Sequence, residues 1–254
     1  MHPPILRFFP RGVLVAALAF CLVASARADD SAAVMLRGGV WDGGVGSHDV
    51  PAPLAALNPR RWPSDGWHRL RLLRDRIEIE PVAAAAGRQP EFLASIVGQV
   101  ERRDASDLPR AEEPNEIYLR APGTPLRQGR VATIVFRNGT SALVPRLDHR
   151  YELELDQRKL AFSVQNGLRT GQGAAYGSGA RYLIEYDGET FEYLLGEFGW
   201  SSRIEAIADL DGDGKPDFII HVDGNNSGDE VVLLSSRARP GRNAATARLH
   251  STGC

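Results

Sequence analysis

Tyr182-Leu-Ile-Glu-Tyr-Asp-Gly-Glu-Thr-Phe-Glu-Tyr-Leu-Leu195 is the stretch on which the fold class turns. On both sides of Asp187-Gly188 apolar and polar residues alternate, and a period of two is the repeat of a strand with one buried face. Asp and Gly tolerate the positive φ that a two-residue hairpin turn demands of its central residues. The stretch therefore predicts two antiparallel strands joined by a tight turn. Working outward, the same signal recurs at Tyr151–Leu155, Leu160–Val164, Ile117–Leu119 and Val131–Phe136. It recurs again over Trp67–Val82, where Leu70, Leu72, Ile77 and Ile79 are separated by polar residues. No run of eleven or more residues carries a clean helical period, although Phe92–Val100 can form a short helix. The expected class is all-β or β-dominated, with α+β as the variant, built of antiparallel strands and hairpins.

The chain has 254 residues, 43% hydrophobic and 24% charged, with a formal net charge of −2. These are the proportions of a folded protein, and without a basic excess nucleic acid is not an expected partner. Residues 1–28 stand apart. Arg7 and Arg11 precede an apolar stretch from Gly12 to Ala24, followed by Ser25-Ala26-Arg27-Ala28. A basic flank, a short apolar core and small residues at A-x-A spacing are the parts of a cleaved secretory signal. The apolar stretch is too short to span the bilayer, which needs roughly 20 residues, so no transmembrane segment is expected. Removal of Arg7, Arg11 and Arg27 with the signal leaves 27 basic against 32 acidic residues, and Cys254 as the single cysteine. From Asp29 onward Gly and Pro interrupt the chain repeatedly, which limits strands there to short pieces. Charge and proline dominate Gln99–Pro125, the expected boundary or long surface loop between a Gly/Pro-rich β region over 29–110 and a β-rich C-terminal domain over 111–254.

Residues 209–217 read Asp-Leu-Asp-Gly-Asp-Gly-Lys-Pro-Asp. Four carboxylates within nine residues repel one another unless a cation sits among them. A loop of hard oxygen donors suits Ca²⁺, which takes six to eight such ligands in a flexible shell, better than Mg²⁺ with its strict octahedron. Transition metals favour His or Cys, and the loop has neither. In a wrapped loop Asp209, Asp211 and Asp213 point inward, and the Lys215 carbonyl and Asp217 carboxylate complete the shell. Gly212 and Gly214 let the backbone wrap tightly. The first half matches an EF-hand, but position twelve is Ile220 where an EF-hand has its bidentate Glu. The flanks Ile204–Ala208 and Phe218–Val222 are strand-like rather than helical.

The pattern D-x-D-G-D-G-x-x-D between two strands resembles the calcium loop of FG-GAP and VCBS repeats, the integrin-α-like propeller family. The resemblance covers roughly Ile204 to Ser235. It implies Asp209, Asp211, Asp213 and Asp217 as side-chain calcium ligands and Lys215 as a carbonyl ligand. That family builds propellers by repetition, whereas this chain carries one such loop. The expectation is therefore a strand–calcium loop–strand unit near the C-terminus of a different β-domain, not a full propeller.

No catalytic constellation emerges. His48, His68, His149, His221 and His250 are scattered, without an H-E-x-x-H pair, and no G-x-S-x-G elbow is present. The Gly38–Gly46 cluster lacks the Lys-Ser/Thr of a P-loop, and Gly171–Gly177 misses the dinucleotide spacing. Glu78 with Glu80, and Glu152 with Glu154, have the spacing of solvated strand faces, although paired carboxylates also serve glycosidases. Together these readings predict an exported calcium-binding protein, periplasmic or extracellular, of non-enzymatic binding or structural role. Its expected partner is a protein or carbohydrate. The alternatives are a secreted hydrolase with structural calcium and a carbohydrate-binding or adhesion module.

Overall fold

The computed structural model describes residues 31–39, 41, 47–84, 88–102, 115–166, 180–195, 201–224 and 226–253. The expected signal, the Gly171–Gly177 run and Cys254 lie outside the described residues, as does 103–114, which contains the expected 110/111 boundary. The elements, in chain order, are β1 (Val34–Arg37), α1 (Ala52–Ala55), β2 (Trp67–Leu72), β3 (Arg76–Pro81), α2 (Glu91–Arg102), β4 (Glu116–Arg120) and β5 (Gly129–Ala132). They continue with β6 (Arg150–Leu155), β7 (Arg158–Asn166), β8 (Ala180–Tyr186), β9 (Glu189–Leu195), β10 (Ser201–Ala208), β11 (Asp217–Asp223), β12 (Ser227–Leu233), β13 (Gly241–Asn243) and β14 (Ala247–Thr252). The protein is β-dominated, and among the described residues the strands form neither a closed barrel nor a propeller.

The hairpin predicted at Asp187-Gly188 is present. Tyr186 pairs with Glu189 across a two-residue turn in which Asp187 and Gly188 have φ of 54° and 78°. With β6 and β7 it forms a meander in strand order β13-β9-β8-β7-β6, here called the third sheet. The first sheet has the order β1-β4-β2-β3-β5 and the second β10-β11-β12-β14. The first sheet thus draws strands from both sides of residue 110.

The second sheet is the central layer, because its two faces feed two different cores. Ile219, Val232, Leu234 and Leu249 belong to the core cluster of the first sheet, which continues through that sheet to α2. Phe218, Ile220, Val231 and Leu233 pack with the third sheet. Adjacent residues of a strand point to opposite faces, so a strand buried on both sides reads as an unbroken apolar run. Phe218-Ile-Ile in β11 is such a run. An irregularity between Ile204 and Ala206 in β10 restores the alternation after an inserted residue, leaving Ile204 and Ile207 on one face and Ala206 and Ala208 on the other.

Two elements differ from expectation. The strand expected over Val131–Phe136 ends at Ala132, because the chain there leaves the first sheet for the edge of the second. Thr133 Oγ1 donates to the Ile207 carbonyl at 3.0 Å, and the Ile134 amide to the same oxygen at 3.1 Å. The helix allowed at Phe92–Val100 extends to twelve residues and lies across the outer face of the first sheet. Its Phe92 ring stacks on Tyr118 with centroids 3.9 Å apart and meets Trp67 edge-on at 5.4 Å. Among the described residues no helix is long and apolar enough to cross a membrane.

Candidate metal centre

The acidic loop is the turn between β10 and β11 of the second sheet. β10 and β11 pair down to Ala208 opposite Asp217, so residues 209–216 must leave and re-enter the sheet at one point. Gly212 and Gly214 take φ of 78° and 77°, a left-handed geometry that costs a Cβ-bearing residue about 1–2 kcal/mol. The result is a tight wrap that turns acidic side chains toward the backbone of the loop itself.

Asp209, Asp211 and Asp217 converge, each offering a carboxylate oxygen within 4.8 Å of the others. Asp217 is fully buried and satisfied at both oxygens. Oδ2 accepts the Leu210 amide at 2.6 Å and the Asp211 amide at 3.3 Å. Oδ1 accepts the Ser235 amide at 2.7 Å and the Ser235 hydroxyl at 2.8 Å. Burial, followed by the charge of Asp211, pushes the Asp217 carboxyl well above the usual carboxylate range despite these donors. Asp211 is raised as well, through burial first and then the neighbouring Asp213 and Asp209 charges. Asp209 contributes the most telling atom. Its side chain is 7% exposed, its Oδ2 accepts from Arg127 Nη1 at 3.3 Å, and its buried Oδ1 has no hydrogen-bond partner among the described residues. A buried, unpartnered carboxylate oxygen beside two further carboxylates is costly without a counter-charge.

Asp213 and Lys215 lie outside the convergent trio. Asp213 is exposed, with Oδ1 accepting the Lys215 amide at 2.8 Å and the Ser235 hydroxyl at 3.1 Å. Sequence reasoning missed Ser235, Ser236 and Arg127. Ser236 Oγ donates to Asp211 Oδ2, and both serines sit in the 3₁₀ turn Ser235–Arg237 that follows β12. Their contacts with the loop span 18 to 25 residues, and that of Arg127 spans 82. No local pattern encodes such distances. The loop also borders the third sheet. Burial raises the phenols of Tyr186 and Tyr193 above their ordinary range, and carboxylates including Asp217 raise them further.

Elsewhere the candidate groups are otherwise engaged. Glu78 and Glu80 form a cross-strand ladder on the outer face of the first sheet, with Arg71 to Glu78 at 3.5 Å and Arg69 to Glu80 at 2.6 Å. A groove of about 550 Å³ between this face and α2 is lined by Arg69, Glu80, Phe92, Glu116 and Tyr118 among others. Arg69 also faces Glu116 at 3.5 Å, and the Tyr118 hydroxyl donates to Glu116 at 3.0 Å. Hydrogen bonding to Arg69 holds Glu80 below the usual carboxylate range. His221 Nε2 lies 3.0 Å from Asp223, and His250 Nδ1 lies 2.7 Å from Asp229. Glu152 and Glu154 are exposed along β6. Compared with protein-family models, curated proteins and solved structures, the chain finds no match.

Proposed function

We propose that this is an exported calcium-binding protein of non-enzymatic binding or structural role, in which the ion is a structural clip. The observation that carries the reading is the buried, unpartnered Asp209 Oδ1 beside the carboxylates of Asp211 and Asp217. An all-oxygen donor set of high negative charge favours Ca²⁺. Asp209, Asp211 and Asp217 would hold it, with Asp213 and the Lys215 carbonyl completing the shell as the FG-GAP and VCBS resemblance implies. Bound there, the ion neutralises the repulsion among the carboxylates and ties the end of β10 to the start of β11. Export rests on residues 1–28, read as a cleaved signal, and places the protein in the periplasm or outside the cell, where millimolar calcium is available. The partner, on this reading, is a protein or a carbohydrate.

The non-enzymatic part of the reading is supported by how the groove carboxylates are held. A general acid needs a raised pKa, whereas Arg69 holds Glu80 ionised and sits beside Glu116. Glu80 thus belongs to the Arg–Glu ladder of the outer face and is not held as a general acid. Thermal melting of the full chain, with and without calcium, tests the clip. A dissociation constant near 0.1 mM at 1 mM free calcium corresponds to about 1.4 kcal/mol of linkage. The expected outcome is a melting temperature several degrees higher in 1 mM calcium than in excess chelator. Equal melting temperatures in the two conditions refute the clip.

A further inference from the structure

The hydrogen bonds around the acidic loop show where its carboxylates are held from outside. Asp209 Oδ2 is taken by Arg127, Asp211 Oδ2 by Ser236, and Asp213 and Asp217 by Ser235. Each carboxylate of the loop therefore has one partner that belongs to another part of the fold. The arrangement at Asp209 is the clearest, with one oxygen fixed by a guanidinium and the other left buried and unpartnered, facing its acidic neighbours. Groups that orient metal-binding side chains in this way typically change metal affinity by roughly 10–100-fold when removed.

The same groups grip one further segment. Residues 121–128 connect β4 to β5 in the first sheet and run past the loop. The Arg127 amide donates to the Leu210 carbonyl at 2.8 Å. Arg237, next to Ser236, donates from Nε to Thr124 Oγ1 at 2.8 Å and from Nη2 to the Pro122 carbonyl. The connector is thus held at one end by the 3₁₀ turn and at the other by the loop.

Resting on the calcium reading above, we infer that Arg127, Ser235 and Ser236 are positioning residues for the cation-binding carboxylates, and that through them an ion in the loop tightens the β4–β5 connector of the first sheet onto the second sheet. Drawing Asp209 and Asp211 toward a common ion fixes their outer oxygens, and with them the Arg127 guanidinium and the Ser236 hydroxyl. The connector then loses freedom at both of its anchors.

Two measurements on the full chain test this, with calcium chloride as the probe. Calorimetric titration of the unsubstituted protein, Ser236→Ala and Arg127→Gln should show affinity falling roughly 10–100-fold in both variants. The Ser236 side chain is exposed, so melting of ion-free Ser236→Ala should stay close to that of the unsubstituted protein, whereas ion-free Arg127→Gln should melt lower because the buried Asp209 carboxylate loses its partner. Arg127→Lys, which keeps a cationic donor, should recover part of the affinity. Hydrogen exchange of the Thr124 and Arg127 amides, bonded at 3.0 and 2.8 Å, should slow when calcium is added, and slow less in Arg127→Gln. If the unsubstituted protein takes up no calcium, the calcium reading itself fails. If it binds calcium but both variants bind as tightly, or connector exchange ignores the ion, only the present inference is overturned. It is overturned equally if ion-free Ser236→Ala loses stability in proportion to affinity, because that marks a merely structural role.

Discussion

The two sides of the second sheet are filled by different chemistry. On the first-sheet side the core cluster holds many Leu, Ile and Val side chains and includes Trp41, Trp62 and Trp67, the last on the face of that sheet covered by α2. Toward the third sheet the core holds Phe162, Tyr182, Tyr186, Phe191, Tyr193 and Phe218. The polar tips are handled differently as well. Tyr182 sits fully buried because its hydroxyl donates to Ser202 Oγ across the interface at 2.7 Å, whereas Trp62 donates to the Leu54 carbonyl on its own side at 3.0 Å. The topology differs in the same sense. β6 to β9 follow one another around a meander, while the first sheet places β4 between β1 and β2. One side is assembled from neighbours in sequence, the other from segments far apart. The two share a single layer, and the acidic loop lies at its end with contacts reaching toward both.

The sharpest way to break this comparison uses two adjacent residues. Ile219 and Ile220 are both almost completely buried, and they face the first and the second core respectively. Truncating either to Ala should cost about 2–5 kcal/mol, the usual range for a buried aliphatic side chain. The expected loss of hydrogen-exchange protection differs, falling on β2 and β4 for Ile219→Ala and on β7 and β8 for Ile220→Ala. Denaturant melts give the size of the effect and exchange gives its location. Identical exchange patterns in the two variants would show a single cooperative body and erase the distinction.

A smaller effect should separate the two sides by pH. Burial lowers the His48 and His68 imidazoles below their ordinary value. His48 stands beside Trp41, with ring centroids 5.1 Å apart, and its Nδ1 is buried without a partner among the described residues. A depressed histidine pKa means the unfolded chain accepts a proton that the folded one resists. Stability contributed by these neutral rings is therefore complete above the unfolded pKa of about 6.5 and falls as pH drops below it. Trp41, Trp62 and Trp67 all lie in the first core, so tryptophan fluorescence reports mainly on that side. The denaturation midpoint followed by fluorescence should drop between about pH 7 and pH 5, and His48→Gln should flatten that dependence. A slope unchanged by the substitution would remove His48 from the account.

The same contrast explains what was legible in the sequence. β8 and β9 announce themselves, because alternation and an Asp-Gly turn are local and the strands they specify pair with each other. The unbroken Phe218-Ile-Ile run marks a doubly buried strand once its length and flanks are weighed. Val34–Arg37 gives no such signal. Four residues close to glycines show no period, and β1 exists because it pairs with β4, 80 to 86 residues further along. The convergence of Asp209, Asp211 and Asp217 could be read from spacing alone, since loop geometry is a local property. Arg127, Ser235 and Ser236 could not, because only the packing of the first sheet and of β12 brings them to the carboxylates.

The smallest expected effect returns to the turn between β8 and β9. Gly188 has φ of 78°, and a Cβ placed on it meets nothing within 4 Å. Gly188→Ala therefore introduces backbone strain without a steric clash, at a cost of about 1 kcal/mol. Gly188→Asn should cost less, since Asn tolerates the left-handed region better than other side chains that carry a Cβ. The loss should be confined to the third sheet, seen as faster exchange at Glu189 and Thr190. Tryptophan fluorescence from the first core should report the change only through global unfolding. If Ala and Asn cost the same several kcal/mol, the turn holds more than a backbone preference. The third sheet would then not be the locally encoded half that its alternation describes.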